Sequence, residues 1–196
     1  MAIRVVVLAS GTGSLLKALI DAQDSSFEVV ALVTDNPEAG AIGHAATAGV
    51  QVAVIAPNDF ENRSAWDLAL ADCIDFYQPD LVVSAGFMRI IGEVGVSRFA
   101  GRLINTHPAL LPMFPGAHAV RDALVAGVKE TGSTVHFVDS GVDTGPVIVQ
   151  KSVAVIDGDD ESSLHERIKV VERDLLVEVV KDFAGVKKYF KQKADK

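Results

Sequence analysis

The chain has 196 residues and a mass of 20.7 kDa, 49% hydrophobic and 22% charged, which is material for one domain with a sizeable core. Its 7 Pro and 16 Gly exclude collagen-like and low-complexity chains, and a formal net charge of −8 argues against a partner held through a phosphate backbone. A single Cys makes neither an internal disulfide nor a thiolate metal cluster. The longest apolar runs, such as Val5 to Ala9, stop far short of the roughly 20 residues of a membrane helix. No basic-then-apolar leader precedes a first strand that starts at about Ile3. The expectation is a cytoplasmic protein with no nucleic-acid or membrane partner.

Along the chain, element types alternate. Residues 3–9 are a β-branched run typical of a strand buried on both faces. Residues 14–23 read as a helix with Leu15, Leu16, Leu19 and Ile20 on one side, 27–34 as a strand, and 40–48 as a helix. A short strand at 52–55 and a long helix at 62–77, stopped by Pro79, complete the first half. The second half gives a strand at 80–84, a short helix at 92–99 and a strand at 101–106. Three prolines make 107–117 a loop, and a helix follows at 120–126. Strands at 133–139 and 147–155 flank the Gly141–Pro146 turn, close enough to pair as a mixed or antiparallel edge, and a helix runs from 160 to 183. This order predicts an α/β fold, an open, mainly parallel twisted sheet of about seven strands with helices on both faces. One domain covers residues 1–186. The tail at 187–196, with five Lys and one Asp, reads as a solvated end.

Ligands in such sheets bind beyond the carboxyl ends of the strands, and three unusual segments follow strands. In Ser10-Gly11-Thr12-Gly13-Ser14, glycines allow a tight turn and backbone N–H groups at a helix start attract phosphate. No Gly-Lys-Ser/Thr follows, so this is no Walker loop. Gly11 and Gly13 fit half of a dinucleotide fingerprint, Leu16 replaces the third glycine, and Asp35 lies where a ribose-binding acid would stand. A nicotinamide-dependent oxidoreductase, or another nucleotide-binding α/β protein, therefore stays open. In the second segment, Asn105 and His107 are two apart at a strand end and share a face. An amide N–H can donate to an oxyanion, and an imidazole can move a proton near neutral pH. The third segment, Asp139 to Pro146, offers two acids on a glycine-rich turn. Its pattern is not that of a calcium loop, the histidines lack metal-ligand spacing, and no metal is expected. Together the three segments supply an oxyanion donor, a proton shuttle, an orienting acid and a phosphate loop, the parts needed for acyl-type transfer.

The segments Ile104-Asn-Thr-His-Pro-Ala-Leu-Leu-Pro-Met-Phe-Pro-Gly116, Ser84-Ala-Gly-Phe-Met-Arg-Ile90, Gly132-Ser-Thr-Val-His-Phe-Val138 and Asp143-Thr-Gly-Pro-Val-Ile-Val-Gln150 resemble the phosphoribosylglycinamide formyltransferase family of folate-dependent formyltransferases. The likeness runs from about residue 3 to about residue 180. It implies a Rossmann-like formyltransferase fold and transfer of a formyl group from 10-formyltetrahydrofolate to the amine of glycinamide ribonucleotide, in purine biosynthesis. On that likeness Asn105, His107 and Asp143 are catalytic. Gly13, Ser14, Leu15, Arg63, Asn105 and Glu172 hold the ribonucleotide. Met88, Arg89, Ile90 and Ile91, with Ser140, Gly141, Val142 and Asp143, hold the folate. Leu15 stands where relatives often carry Asn, which leaves backbone N–H groups to meet the phosphate.

The implied chemistry has Asn105 donating to a tetrahedral oxyanion and a protonated His107 passing a proton to the leaving nitrogen. Asp143 raises the pKa of His107 by stabilising its cation. The folate is a cosubstrate, and no tightly bound cofactor is implied. Partners are the two small molecules, with monomer and homodimer both open. The related methionyl-tRNA formyltransferase carries a further C-terminal domain and RNA-facing positive charge, and the related formyltetrahydrofolate hydrolase an N-terminal regulatory domain. Neither feature is expected in this chain.

Overall fold

A computed structural model describes residues 1–183 of the chain; the basic tail expected at 187–196 lies outside the described residues. They cluster into two compact units, one over Met1–Ile104 and one beginning at Asn105.

The first unit contains β1 (Ile3–Leu8), α1 (Ser14–Asp21), β2 (Phe27–Thr34), α2 (Ala41–Thr47), β3 (Gln51–Val54), α3 (Arg63–Phe76), β4 (Leu81–Ser84) and α4 (Glu93–Arg98). Strand β1 lies between β2 and β4, parallel to both, and β2 pairs in parallel with β3. The helices of the crossover connections cover both faces of such a parallel strand, so Val5 to Leu8 are fully buried and all aliphatic. Trp66, Leu70 and Ile74, one turn apart on α3, bury the apolar stripe of that helix. Its start is fixed by Asn62, whose side chain accepts from the Ala65 N–H at 3.0 Å. A 3-10 turn at Pro57–Asp59 has no counterpart in the sequence reading, because no apolar period marks three residues.

Strand β5 (Leu103–His107) runs across the boundary of the units. After it come α5 (Ala119–Val125), β6 (Glu130–Phe137), β7 (Val147–Ala154) and α6 (Glu161–Lys181). Strands β6 and β7 are antiparallel. The former starts at Glu130, three residues before the expected Ser133, since Glu130 to Gly132 pair with Ala154 to Ser152. That extent is set by the partner strand rather than by local pattern. Helix α6 opens on a reciprocal Asp160–Ser163 capping box. Its Leu164 and Ile168 form one buried cluster with Val120 and Val153.

The seven strands are ordered β3-β2-β1-β4-β5-β6-β7 in one sheet, mostly parallel with an antiparallel edge, as the alternation of elements predicts. Among the described residues no helix is long and apolar enough to cross a membrane.

Candidate active site

The second unit holds the candidate catalytic residues. Asn105 and His107 occupy one face of the last turn of β5, and Thr106 the other. His107 is 4% exposed. Its Nε2 lies 2.7 Å from the Phe114 carbonyl and its Nδ1 3.3 Å from Asp143 Oδ2. Asp143 sits on the β6–β7 loop in the left-handed region, at φ 55°, a conformation that Asp tolerates better than most residues. The Gly116 N–H donates to Asp143 Oδ2 at 2.8 Å. Asp139 shapes the loop, its Oδ1 accepting from the Gly141 N–H at 3.0 Å and the Thr144 hydroxyl at 2.7 Å.

His136, on the buried strand β6, completes the cluster. Its Nδ1 lies 2.8 Å from the Phe137 carbonyl, so the neutral ring carries its proton there. Its Nε2 then accepts from Asn105 Nδ2 at 3.2 Å. The same amide donates to Asp143 Oδ1 over a longer 3.5 Å, and His136 Nε2 is 3.5 Å from that oxygen. Thus Asn105, His107 and Asp143 come together as expected, while His136, the Phe114 carbonyl and the Gly116 N–H are additions. His136 carries a signal in sequence, a histidine inside an otherwise apolar β6 end. Backbone groups of a loop carry none.

Charge in the cluster is finely opposed. Burial pushes the His107 pKa down, and this outweighs the upward pull of Asp143 and of the Phe114 carbonyl. The influence of Asp143 has the expected upward sign, and burial outweighs it. Asp143 is held below the ordinary carboxylate range, first by the neighbouring His136 ring, then by the Gly116 N–H and by His107, against an opposing push from burial.

Ser140, Gly141 and Val142 are exposed on the loop before Asp143. Glu172 is 6% exposed on α6, and burial raises its pKa, opposed first by the Thr106 hydroxyl and then by Lys169 and Arg173. The structure therefore sets Glu172 beside Thr106, the residue that alternates away from Asn105 and His107.

In the first unit, Gly13 caps α1 at φ 78°. A Cβ there would stand 2.6 Å from Ala41 Cα, so the position requires glycine for close packing as well as for backbone freedom. Ser14 is the first residue of α1, and the Leu15 side chain is buried with Leu16 and Leu19. Of Leu15, then, the backbone N–H alone faces the helix start. Arg63 Nε pairs with Asp67 at 2.8 Å and its Nη2 donates to the Ile90 carbonyl. The structure places that arginine against the Met88–Ile91 segment. In that segment Met88, Arg89 and Ile90 are exposed and Ile91 is buried. Asp35, the acid that kept a nicotinamide enzyme open, is 7% exposed with both oxygens engaged, by Ser10 at 2.5 Å and by Arg89 at 2.8 Å. It is not free for a ribose. Among the described residues no group of three or more His, Cys, Asp and Glu side chains is arranged to hold a metal ion.

A family model described as formyl transferase matches residues 3–180, and the chain belongs to that family. Its relatives within the family narrow the class. The phosphoribosylglycinamide formyltransferase of Mycobacterium tuberculosis is 58% identical over 179 residues, 90% of this chain and 83% of that protein. The enzyme of the same name from Escherichia coli is 42% identical over 183 residues, 92% of this chain and 86% of that protein. The crystal structure of glycinamide ribonucleotide transformylase 1 from Symbiobacterium toebii matches with a TM-score of 0.91 at 40% identity, over 93% of this chain and 88% of that one.

Proposed function

We propose that the chain is a phosphoribosylglycinamide formyltransferase, moving a formyl group from 10-formyltetrahydrofolate to the amine of glycinamide ribonucleotide in purine biosynthesis. The observation that carries this reading is the Asn105–His107–Asp143 cluster, half-buried around a buried His107, in a chain of the formyl transferase family. The amine attacks the formyl carbon, and a new nitrogen–carbon bond forms. The bond to the folate's carrier nitrogen then breaks, and one proton moves from the attacking nitrogen to the leaving one. Neutral His107 accepts that proton and passes it on, which suits an imidazole whose pKa is lowered by burial. The transient imidazolium is stabilised by Asp143 at 3.3 Å. Asn105 donates to the oxyanion by exchanging its long 3.5 Å contact with Asp143.

The backbone at Gly13, Ser14 and Leu15 meets the substrate phosphate at the start of α1, and Glu172 serves the ribose. Met88 to Ile91 and the Ser140–Asp143 loop hold the folate, and Arg63 belongs to this part of the site through its contact with Ile90. The folate is a cosubstrate rather than a resident cofactor. Residues 1–186 act as one catalytic domain, in the cytoplasm, on small molecules alone.

Incubating the purified chain with both substrates tests the reading. Formylated ribonucleotide and tetrahydrofolate should appear in equal amounts. Formate release without ribonucleotide product would replace it with a hydrolase.

A further inference from the structure

The Met88–Ile91 segment has little burial of its own to hold it, since the Met88 and Ile90 side chains are 74% and 62% exposed. Polar side chains of its own unit hold it instead. The Ser10 hydroxyl has one hydrogen, which it donates to Asp35 Oδ1 at 2.5 Å. A lone pair of the same oxygen accepts the Met88 N–H at 2.8 Å. The other oxygen of Asp35 accepts from Arg89 Nε at 2.8 Å. One carboxylate, its side chain 4% exposed, therefore aims the Ser10 hydroxyl at Met88 and anchors the next side chain along. Ser10 also opens the Ser10–Ser14 loop, with its carbonyl held by Asn36 Nδ2 at 3.1 Å and its N–H bonded to the Gly86 carbonyl at 3.1 Å.

We infer that Asp35 is a positioning residue for the formyl-folate, fixing the backbone of Met88 to Ile91 through Ser10 and Arg89. The inference rests on the reading of that segment as the folate site. A flat, amide-edged heterocycle pairs with backbone N–H and C=O groups only while these keep their spacing. An amide at position 35 can turn its N–H₂ towards Ser10 and loses the charged acceptor for Arg89, so the hydroxyl no longer has to face Met88.

The test uses Asp35→Asn and Ser10→Ala in the full chain, with steady-state kinetics on both substrates and melting temperatures. Fluorescence supplies a readout independent of turnover. Trp66 is the one tryptophan of the chain, and its ring stacks 6.5 Å from that of Phe87, beside Met88. Quenching by tetrahydrofolate therefore reports folate binding. Both variants should raise the folate KM and the tetrahydrofolate Kd about tenfold, the scale of a lost charge-assisted hydrogen bond. Saturated kcat should hold, and the ribonucleotide KM should rise less. Unchanged folate KM and Kd in Ser10→Ala, or equal rises for both substrates, would overturn the inference. A wild-type chain that binds tetrahydrofolate but transfers no formyl group would instead overturn the functional reading. Tetrahydrofolate bound by Asp35→Asn as tightly as by wild type would then overturn the inference on its own.

Discussion

Strands β1 and β6 are equally inaccessible and opposite in chemistry. Val5 to Leu8 have no exposed surface and are all aliphatic, whereas Thr131, Ser133, Thr134 and His136 are polar and at most 2% exposed. An aliphatic strand between two parallel neighbours needs nothing further, and it serves by ending at the Ser10 loop. A polar strand is costly to bury unless its groups find partners. For two residues of β6 those partners are parts of the candidate site or of the loop that builds it. Thr134 Oγ1 donates to the Ala109 carbonyl at 2.6 Å and accepts the Leu111 N–H at 3.1 Å, pinning the proline-rich loop. His136 orients Asn105. In this molecule an apolar buried strand is frame, and a polar buried strand is frame and site together.

The contrast is broken most sharply at the cluster itself. Asp143→Asn should cut kcat about a hundredfold to ten-thousandfold, the range of general acid–base catalysis, with the ribonucleotide KM nearly kept. Combined with His107→Ala it should lose far less than the product of the two single losses, because the residues act as a unit. Leu8→Ala on β1 should do the reverse. It should cost about 2–5 kcal/mol in denaturant unfolding, while activity per folded molecule stays at the wild-type value.

His136→Phe sharpens the comparison, because it makes β6 resemble β1. Loss of the acceptor for Asn105 should lower kcat about tenfold, and His136→Gln, which can still accept, should recover part of it. The smallest effect is expected at Glu172. Its folded pKa is raised by burial, so it contributes stability below its unfolded pKa that is lost as pH rises through the folded one. Glu172→Gln should therefore melt a few degrees higher than wild type near neutral pH, a gain that shrinks in acid. If Glu172 serves the ribose, its ribonucleotide KM rises at the same time.

Much of this was legible in residues. Strand and helix patterns alternating along the chain mark the sheet, Asn105 and His107 stand out as polar groups at a strand end, and Asp143 as an acid on a glycine-rich turn. What stayed hidden lies in partners distant in sequence. The Phe114 carbonyl and Gly116 N–H are common to every chain and gain meaning only where the loop folds back. Asp35 looked available for a ribose because its bonds to Ser10 and Arg89 span 25 and 54 positions. Burial of His107 likewise reverses a shift that its neighbour alone predicts.

The central claim is that His107 works as a buried neutral imidazole whose proton affinity is supported by Asp143. An NMR titration of the histidine rings, with the His107 signal assigned by its loss in His107→Ala, measures this directly on the free protein. The midpoint for His107 should lie below the usual imidazole value of about 6.5 and fall further in Asp143→Asn, where the Asp143 charge is gone. A midpoint at or above that value, or one that does not move when Asp143 loses its charge, would contradict the account.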